Sequence, residues 1–438
     1  MNEYIKLIFG LKSSIINVCM LNEAQKAHAR KISIIEGGMA TVWGAFTGGF
    51  GGNSYLVGFF LWLGATPFMM SIYGALIPLA SVLQPFSLML ARTFTSKKRF
   101  ILLMAVLARP AFLTLGLVAL IDSGVKIWIA LLLFFFFQIV TSSAGPAWQA
   151  WMSDLVDQNT KGRYFGLRNL VTGLISVPST LLAGYVLDLF GGGLWAFFAI
   201  FTIGSIFGAL DVYALSVQDE DPTQKGNMIN PHVLIEVLKL KGDYRKFLIS
   251  YMFITFTGAI LGPYTTVMMI NDFHYSYATI GLLVVVSSIS AALTQPLWGR
   301  WGDRYGHFRM LKIVAVLRAA LALGWALAIP SILYMIPFQV FIGVVATAGL
   351  GLMSFNTLLT VAPSFGKTEA FSLYSSLVNF ASFFGNIIAG LLVLILASVQ
   401  MNFLFWTFND YRVIFLISFV LRIGAAYYII HLHLDKAK

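Results

Sequence analysis

The sequence predicts an all-α membrane protein with twelve transmembrane helices in two pseudo-symmetric six-helix bundles. Hydrophobic residues make up 58% of the 438-residue chain and charged residues only 11%, whereas a soluble domain carries about 25% charged residues. The apolar residues form long segments separated by short polar turns. Features of the first half recur in the second half, which is typical of transporters that are built from two related bundles.

Twelve segments are apolar and long enough to be spans, which need about 17–25 residues each. They cover residues 33–62, 66–91, 99–121, 126–150, 164–189, 194–216, 247–270, 278–299, 310–329, 332–358, 369–398 and 411–432. The predicted organisation is an N-terminal cytoplasmic or interfacial segment over 1–32, a first bundle over 33–216, a cytoplasmic linker over 217–246, a second bundle over 247–432 and a tail over 433–438.

Segments one and seven contain matching interruptions. The first is broken by a Gly-Gly-Phe-Gly-Gly run at 48–52, and the seventh contains Gly262 followed by proline. Gly51 and Gly262 are 211 residues apart, the same offset that separates two Gln-Pro pairs at 84–85 and 295–296. Interruptions at matching depth indicate the binding site of a transporter. Close helix packing through small residues is the alternative.

Two stretches outside the spans have the pattern of surface helices. Tyr4–Leu21 is apolar with two interspersed lysines and lacks the small-residue cleavage site of a signal peptide. We expect it to be a short helix on the membrane surface, with a disordered tail as the alternative. In the linker, apolar residues recur at helical spacing between Pro231 and Lys246, which predicts a surface helix that leads into segment seven.

The basic residues predict the orientation. If the N-terminus is cytoplasmic, only Lys126 and Arg412 of the 29 lysines and arginines fall on the outer side, and Arg109, Arg318 and Arg422 lie within spans. All the others fall on the inner side, which is a strong positive-inside bias. Basic residues on the inner side are attracted to anionic lipid headgroups. This attraction accounts for the net charge of +11, so no nucleic-acid partner is needed.

The connection between segments eight and nine carries a specific motif. Gly299, Asp303, Arg304, Gly306 and Arg309 resemble the G-x-x-x-D-R-x-G-x-x-R signature of the major facilitator superfamily, which forms a short cytoplasmic loop between two spanning helices. The resemblance extends over 33–432. It implies two six-helix bundles around a central cavity, with alternating access by rocking of the bundles. Because Arg92 replaces the acid at the corresponding place in the first half, the resemblance leaves the usual inner gate in doubt.

A second run, between segments four and five, resembles a bacterial branch of the same superfamily. It reads Pro-Ala-Trp-Gln-Ala-Trp-Met-Ser-Asp-Leu-Val at 146–156 and Lys-Gly-Arg-Tyr-Phe-Gly at 161–166. The resemblance implies an inner-gate ion pair between Asp154 and either Arg163 or Arg168, with Asp303 as the second gate carboxylate. The alternative is that these residues only anchor loops.

Charged residues inside spans are candidates for function, because each costs about 2.5–3.5 kcal/mol on insertion scales. Arg109 and Arg318 each lie about 15 Å into a segment at 1.5 Å per residue, where a guanidinium could bind an anionic substrate. A structural role beside a buried carboxylate or a helix-end carbonyl is the alternative. Glu36 and Asp211 are candidates for proton coupling, although Glu36 could instead pair with Arg92 or Arg163.

Uncharged residues at mid-span depth are candidates for the lining of the cavity. Trp43 precedes the glycine interruption by one turn, where it could stack on a ligand. The polar candidates are Gln138, Asn356, Asn379 and Asn386.

Other site classes are not indicated. The sequence contains no phosphate-binding G-x-x-x-x-G-K-S/T loop and no G-x-S-x-G elbow, and its six histidines are scattered. We therefore predict no enzyme, no cofactor and no metal site. The expected partners are a small-molecule substrate and membrane lipids, with a monomer as the expected state.

The function predicted from the sequence is secondary active transport of a small organic solute, for which we consider an anion as substrate and protons as the driving ion. The predicted location is the bacterial cytoplasmic membrane, with both termini cytoplasmic. A lipid or amphipath translocator is the first alternative, because the chain is rich in aromatic residues. A receptor or assembly protein that kept the fold and lost transport is the second.

Overall fold

The computed structural model describes residues 21–91, 93–94, 96–156, 161–220, 231–396, 401–403, 406–408 and 410–434. The predicted surface helix over Tyr4–Leu21 and the residue Arg92 lie outside these ranges, except for Leu21 itself. The side chain of Asp154 also lies outside the description, although its backbone belongs to a helix.

The first half forms nine helices in its described part. They are α1 (Glu23–Thr47), α2 (Ser54–Trp62), α3 (Pro67–Val82), α4 (Gln84–Ala91), α5 (Lys97–Ala108), α6 (Leu113–Val118), α7 (Lys126–Leu155), α8 (Lys161–Leu189) and α9 (Leu194–Val217). A 3₁₀ turn at Pro110–Phe112 joins α5 to α6, because proline removes a backbone donor from the helix there.

The second half forms the remaining described helices. They are α10 (Pro231–Lys239), α11 (Asp243–Ala259), α12 (Tyr264–Asn271), α13 (Tyr277–Tyr305), α14 (His307–Ala326), α15 (Ile332–Ile342), α16 (Leu350–Val361), α17 (Lys367–Leu396) and α18 (Asp410–His431). A π-helical turn at Gly343–Gly349 joins α15 to α16. A short antiparallel hairpin of β1 (Met401–Phe403) and β2 (Trp406–Phe408) precedes α18.

Each of the twelve predicted segments coincides with a helix or with consecutive helices. Nine helical stretches in the described chain are long and apolar enough to cross a membrane. Segment one is divided between α1 and α2, segment two between α3 and α4, and segment nine is the charged helix α14. The predicted helical membrane fold is confirmed apart from the short hairpin, and the count of twelve spans stays a prediction for these three segments.

The glycine interruptions of segments one and seven are real breaks in the helices. The helix α1 ends at Gly48, which has a left-handed φ of 70°, and Asn53 caps α2 by accepting from the backbone N–H of Leu56. The helix α11 ends at Ala259, and α12 begins at Tyr264. At Gly51 φ is 102°, a conformation that side chains other than glycine rarely adopt. The prediction of matching breaks is therefore confirmed.

The signature residues do not form the extended turn that the sequence predicts. The helix α13 continues through Gly299 and Asp303 to Tyr305, and α14 begins at His307. Only Gly306, with φ of 90°, lies between the two helices. The predicted turn is therefore wrong, because local hydropathy marks where the apolar stretch ends and not where backbone hydrogen bonding ends. The span ends at 299 and 310 stay predictions.

The linker helix is shorter than predicted. It ends at Lys239, and α11 begins at Asp243. Gly242 separates them with φ of 124°, a positive φ that glycine adopts without steric cost. Val237 is buried, and the helix packs against α17, which ties the linker to the second bundle.

The two halves pack against each other along two pairs of helices. The helix α3 packs against α17, and α8 packs against α13. Within the halves, α1 packs against α8 and α9, and α11 packs against α17 and α18, so the two halves repeat the same arrangement. Large apolar side chains such as Leu132, Leu293 and Leu333 remain exposed, which is the surface that a helical membrane protein presents to lipid or to a cavity.

Candidate functional site

A central cavity of about 530 Å³ lies between the two halves. Both helix breaks line it, since Gly51 and Gly52 face it from the first half and Gly262 and Pro263 from the second. Its volume falls within the range of about 300–1,000 Å³ that is usual for small-molecule sites. The polar side chains that line it are Asn53, Ser54, Thr255, Thr266, Arg318, Asn379, Ser382 and Asn386.

Arg318 brings a positive charge to this cavity. Its Nη1 donates a hydrogen bond of 3.4 Å to the carbonyl oxygen of Ile254, and its buried Nε has no acceptor among the described residues. No carboxylate within the described chain forms an ion pair with it. The neighbouring Asn386 donates to the carbonyl oxygen of Ser382 at 2.9 Å, while its buried Oδ1 accepts no hydrogen bond from described residues. The cavity thus offers a cation and an acceptor.

Arg422 lies directly behind Arg318. Its Nη1 donates to the carbonyl oxygen of Arg318 at 2.9 Å, and its Nη2 to that of Gly258 at 3.4 Å. The residue is 6% exposed. The second bundle therefore contains two adjacent guanidinium groups near the centre of the molecule.

The first bundle contains a charged cluster of a different kind. Arg109 forms an ion pair with the fully buried Asp211 and lies 4.0 Å from Glu36. Arg168 Nη2 donates to Glu36 Oε2 at 3.0 Å, and its guanidinium lies 4.4 Å from the ring centre of Trp148. Two arginines and two carboxylates thus share one site, and their formal charges cancel.

This cluster borders a second cavity of about 250 Å³, which we call the first-bundle cavity. Glu36, Arg109 and Arg168 line it together with Trp148 and Thr141. The sequence placed Glu36, Arg109 and Asp211 at membrane depth, and the structure brings them together. It gives Arg109 the buried carboxylate partner that was the alternative to substrate contact, and it pairs Glu36 with Arg168 and not with Arg163.

The uncharged candidates are divided between the cavity and the protein core. Asn379 lines the central cavity. Trp43 is fully buried, and its Nε1 donates to the carbonyl oxygen of Arg109 at 3.1 Å. Gln138 is also buried and donates to the carbonyl oxygen of Gly49 at 3.4 Å, so it holds the chain at the first break. Asn356 is half-buried in α16 and borders neither cavity.

The predicted gate residues lie at the end of the molecule that contains the signature, which we call the signature end. Arg163 is exposed, and Arg168 pairs with Glu36. Asp303 is exposed and lies 3.6 Å from His307 of its own connection. Arg309 is exposed, and Arg304 lies over the ring of Tyr305. None of these described side chains forms an ion pair between the two bundles.

At the opposite end, the two halves are joined by a residue that the sequence reasoning missed. Asp188 accepts hydrogen bonds of 2.8 Å from the backbone N–H groups of Tyr277 and Ala278, at the first turn of α13. A carboxylate is favourable there, because the first N–H groups of a helix have no partner within it. This contact joins α8 of the first half to the second half, and we call this end the Asp188 end.

Two further hydrogen bonds join the halves near the Asp188 end. Ser54 and Thr266 pair through their hydroxyl groups at 3.4 Å, and the Tyr264 hydroxyl donates to the carbonyl oxygen of Pro67 at 3.2 Å. The only sequence signal for Asp188 was a carboxylate just before the Gly-Gly-Gly turn at 191–193. Its partner helix is about 90 residues away along the chain, and no local pattern identifies such a partner.

Comparison with known proteins gives the fold an independent test. The model of the Major Facilitator Superfamily matches residues 247–436. No curated protein is similar enough in sequence to be matched to the chain. A mutant of the nucleoside transporter NupG superposes with a TM-score of 0.69 at 16% identity, covering 93% of this chain and 99% of that one.

Two other solved structures show the same likeness. A bacterial homologue of the human lysosomal transporter Spinster, in an inward-facing and unoccupied conformation, has a TM-score of 0.67 at 15% identity and covers 93% of this chain and 97% of that one. A POT family transporter in complex with a thioalcohol-conjugated peptide also has a TM-score of 0.67 at 15% identity, with coverages of 91% and 95%. At these identities the likeness shows the fold alone. The family model thus matches the second half of the chain, and the fold that these solved transporters share extends over at least 91% of it.

Proposed function

We propose that the protein is a secondary active transporter that moves a small organic anion through the central cavity by alternating access. The observation that carries the proposal is the Arg318 guanidinium, which lines the cavity without a carboxylate partner among the described residues. Removing a charge from water is costly unless it is paired. A substrate carboxylate or phosphate would supply the pair through the two parallel hydrogen bonds that guanidinium favours.

The other polar groups of the cavity indicate what else the substrate carries. Asn386 presents an unpaired Oδ1 beside Gly262 and Gly74, where a hydroxyl or amino group of the solute would donate a hydrogen bond. Ser382 and Asn379 lie on the same helix, one and two turns away from Asn386 respectively. We therefore expect a polar solute with an anionic group at one end and hydrogen-bond donors at the other.

The contacts between the halves support the alternating-access part of the proposal. The hydrogen bonds that join the halves through described residues lie toward the Asp188 end, whereas the described gate residues of the signature end are unpaired across the interface. We infer that this conformation is open at the signature end. If that end is cytoplasmic, as the basic residues predict for a bacterial inner-membrane protein, the state faces inward.

Glu36 and Asp211 are the residues that we propose for proton coupling. Both are buried carboxylates in the first bundle, and Glu36 borders the first-bundle cavity. A carboxylate carries a proton only when its cationic partner is withdrawn. Proton coupling therefore requires that Arg168 leaves Glu36, or that Arg109 leaves Asp211, in another state of the cycle.

The test of the proposed function is anion binding and uptake by the wild type and by Arg318→Gln. We expect the variant to lose about 10- to 100-fold in affinity for organic anions, because one charge-assisted paired contact contributes about 1.5–3 kcal/mol. The measurement is calorimetric titration of the purified protein in lipid nanodiscs with a panel of organic anions. Counterflow of the bound anion in proteoliposomes then tests transport.

Two controls make this result specific. Arg318→Lys keeps the charge but not the paired geometry, so we expect an intermediate affinity. Arg163→Gln removes an exposed arginine at the signature end and should leave anion affinity unchanged. The proposal is wrong if Arg318→Gln binds and transports anions as the wild type does, or if a folded wild type binds only lipids and amphipaths.

Gly258→Ala tests the position of the guanidinium without removing it. A Cβ at this position would lie 2.5 Å from Arg318 Nη2, and its other near neighbours are also atoms of the Arg318 side chain. Because alanine is favoured over glycine inside helices by about 0.5–1 kcal/mol, we expect unchanged or slightly higher thermal stability together with at least about fivefold weaker anion binding. Equal affinity in the variant would show that Arg318 adopts another position when substrate binds.

A further inference from the structure

The two bundles differ in charge at one equivalent position. Asp211 and Arg422 are 211 residues apart, the offset that also relates the two helix breaks. In the first bundle, Asp211 on the last helix neutralises Arg109. In the second bundle, the same place on the last helix holds Arg422, and its neighbour is Arg318. The positive charge of Arg109 is therefore neutralised in the first bundle, whereas the second bundle places a second positive charge beside Arg318.

Both guanidinium groups of the second bundle meet at Gly258, which lines the central cavity. A Cβ built on this glycine would lie 2.5 Å from Arg318 Nη2, and Arg422 Nη2 donates to the glycine carbonyl oxygen at 3.4 Å. The side chain of Arg422 lies behind Arg318 and does not line the cavity. Arg422 can therefore act on a solute in the cavity only through electrostatic attraction, without direct contact.

Described side chains do not compensate this charge. Neither arginine forms an ion pair with a carboxylate of the described chain, and both buried Nε groups lack acceptors there. Gly258 lies in the last turn of α11, and a helix C-terminus supplies about half an elementary negative charge. This offsets only part of the charge of one guanidinium.

We propose that the transported solute carries two negative charges, with Arg318 in contact with it and Arg422 acting on it across a short distance. The inference rests on the proposed function, because it names the class of the anion that Arg318 binds. Two unit charges about 10 Å apart at an effective dielectric constant of about 20 interact strongly enough to change affinity roughly tenfold or more. Each additional charge on the solute gains that factor from Arg422.

Dicarboxylates and phosphate monoesters share this chemistry. In either class the two negative charges are close enough together to lie near the Arg318 guanidinium. Molecules of either class can also carry hydroxyl groups that donate a hydrogen bond to Asn386. Binding of one class by the wild type, and not of the other, will distinguish them.

The experiment compares matched probes that differ by one charge. We use succinate and its monoamide, and glycerol phosphate and its methyl ester, at pH 8, where a phosphate monoester is mostly dianionic. Affinities are measured for the full-length wild type, Arg422→Gln and Arg422→Lys in nanodiscs. We expect the wild type to prefer at least one dianion over its monoanionic partner by about tenfold or more, and Arg422→Gln to reduce this preference to about threefold or less.

The ratio of the affinities for the dianion and the monoanion is informative. If Arg422 had a purely structural role, its replacement would lower the affinity for both probes by the same factor. Arg422→Lys keeps the charge and should keep the preference, even where overall affinity falls. Arg412→Gln is the matched control, because Arg412 belongs to the same helix and also donates to two carbonyl groups, those of Ala326 and Ala328 at 2.8 Å. Its removal should leave the preference unchanged.

Each outcome decides between the two proposals. The dianion inference is overturned if Arg422→Gln keeps the preference for dianions. It is also overturned if the wild type binds mono- and dianions with equal affinity and this binding depends on Arg318. Either result leaves the proposed function intact. Anion binding that does not depend on Arg318, or no binding of any anion, overturns the proposed function and the inference with it. Loss of the preference in Arg422→Gln and its retention in Arg422→Lys supports both.

Discussion

Replacing Asp211 by asparagine is expected to destabilise the protein by about 3–5 kcal/mol, because it leaves the buried charge of Arg109 without its partner. The side chain of Asp211 is fully buried and that of Arg109 is only 12% exposed, so solvent screens their interaction little. The nearby Glu36 already pairs with Arg168. The measurement is the midpoint of thermal unfolding of the purified protein in a fixed detergent and lipid mixture.

The double variant Arg109→Met with Asp211→Leu is the control for this prediction. Replacing both members of a buried ion pair by apolar residues of similar volume is often neutral or stabilising, so we expect the double variant to regain most of the lost stability. Asp219→Asn, at a carboxylate that is 40% exposed and lies 3.7 Å from His28 just beyond the same helix, should change the midpoint little. If Asp211→Asn is as stable as the wild type, the cluster is hydrated and not a buried pair.

Replacing Asp188 by alanine is expected to open the Asp188 end. The carboxylate accepts two hydrogen bonds from backbone groups of the other bundle at 2.8 Å, and hydrogen bonds to a charged group contribute about 1.5–3 kcal/mol each. Losing both changes the balance between the closed and open states by about 3–6 kcal/mol, which is more than 100-fold in population. Spin labels at the exposed residues Leu189 and Leu282, in a background without the single cysteine Cys19, report the distance between the two helices.

For the wild type we expect one short distance between the labels, and for Asp188→Ala a broad distribution that extends to longer distances. The control is Asp122→Ala, because Asp122 is exposed in the connection between α6 and α7 and should not affect the distance. A short, narrow distribution in Asp188→Ala would show that apolar packing alone closes this end.

The sequence predicts elements that depend on local pattern. The helix breaks at Gly51 and Gly262 follow from glycine at a fixed offset, and the segment order follows from hydropathy. The depth of Arg109, Arg318 and Asp211 was also predictable, since each residue in a helix adds a fixed rise.

Partners across helices could not be predicted in the same way. Which side chain Arg109 or Arg168 contacts depends on how each helix is rotated about its axis, and a change of one residue rotates a side chain by about 100°. The pairing of Asp188 with the first turn of α13 depends on how the two halves dock, which is a property of the whole fold. Polar residues end the hydropathy signal at the signature and so predict a turn there, although helical hydrogen bonding continues to Tyr305.

The one-residue connection at Gly306 joins α13 directly to α14. The 29 residues of α13 form a rod of about 43 Å with the Asp188 contact at one end and Gly306 at the other. A tilt of about 10° around its middle would displace each end by roughly 4 Å. The short joint would transmit that displacement to α14, which carries Arg318. Release of the contact at Asp188 would then be coupled mechanically to movement of Arg318.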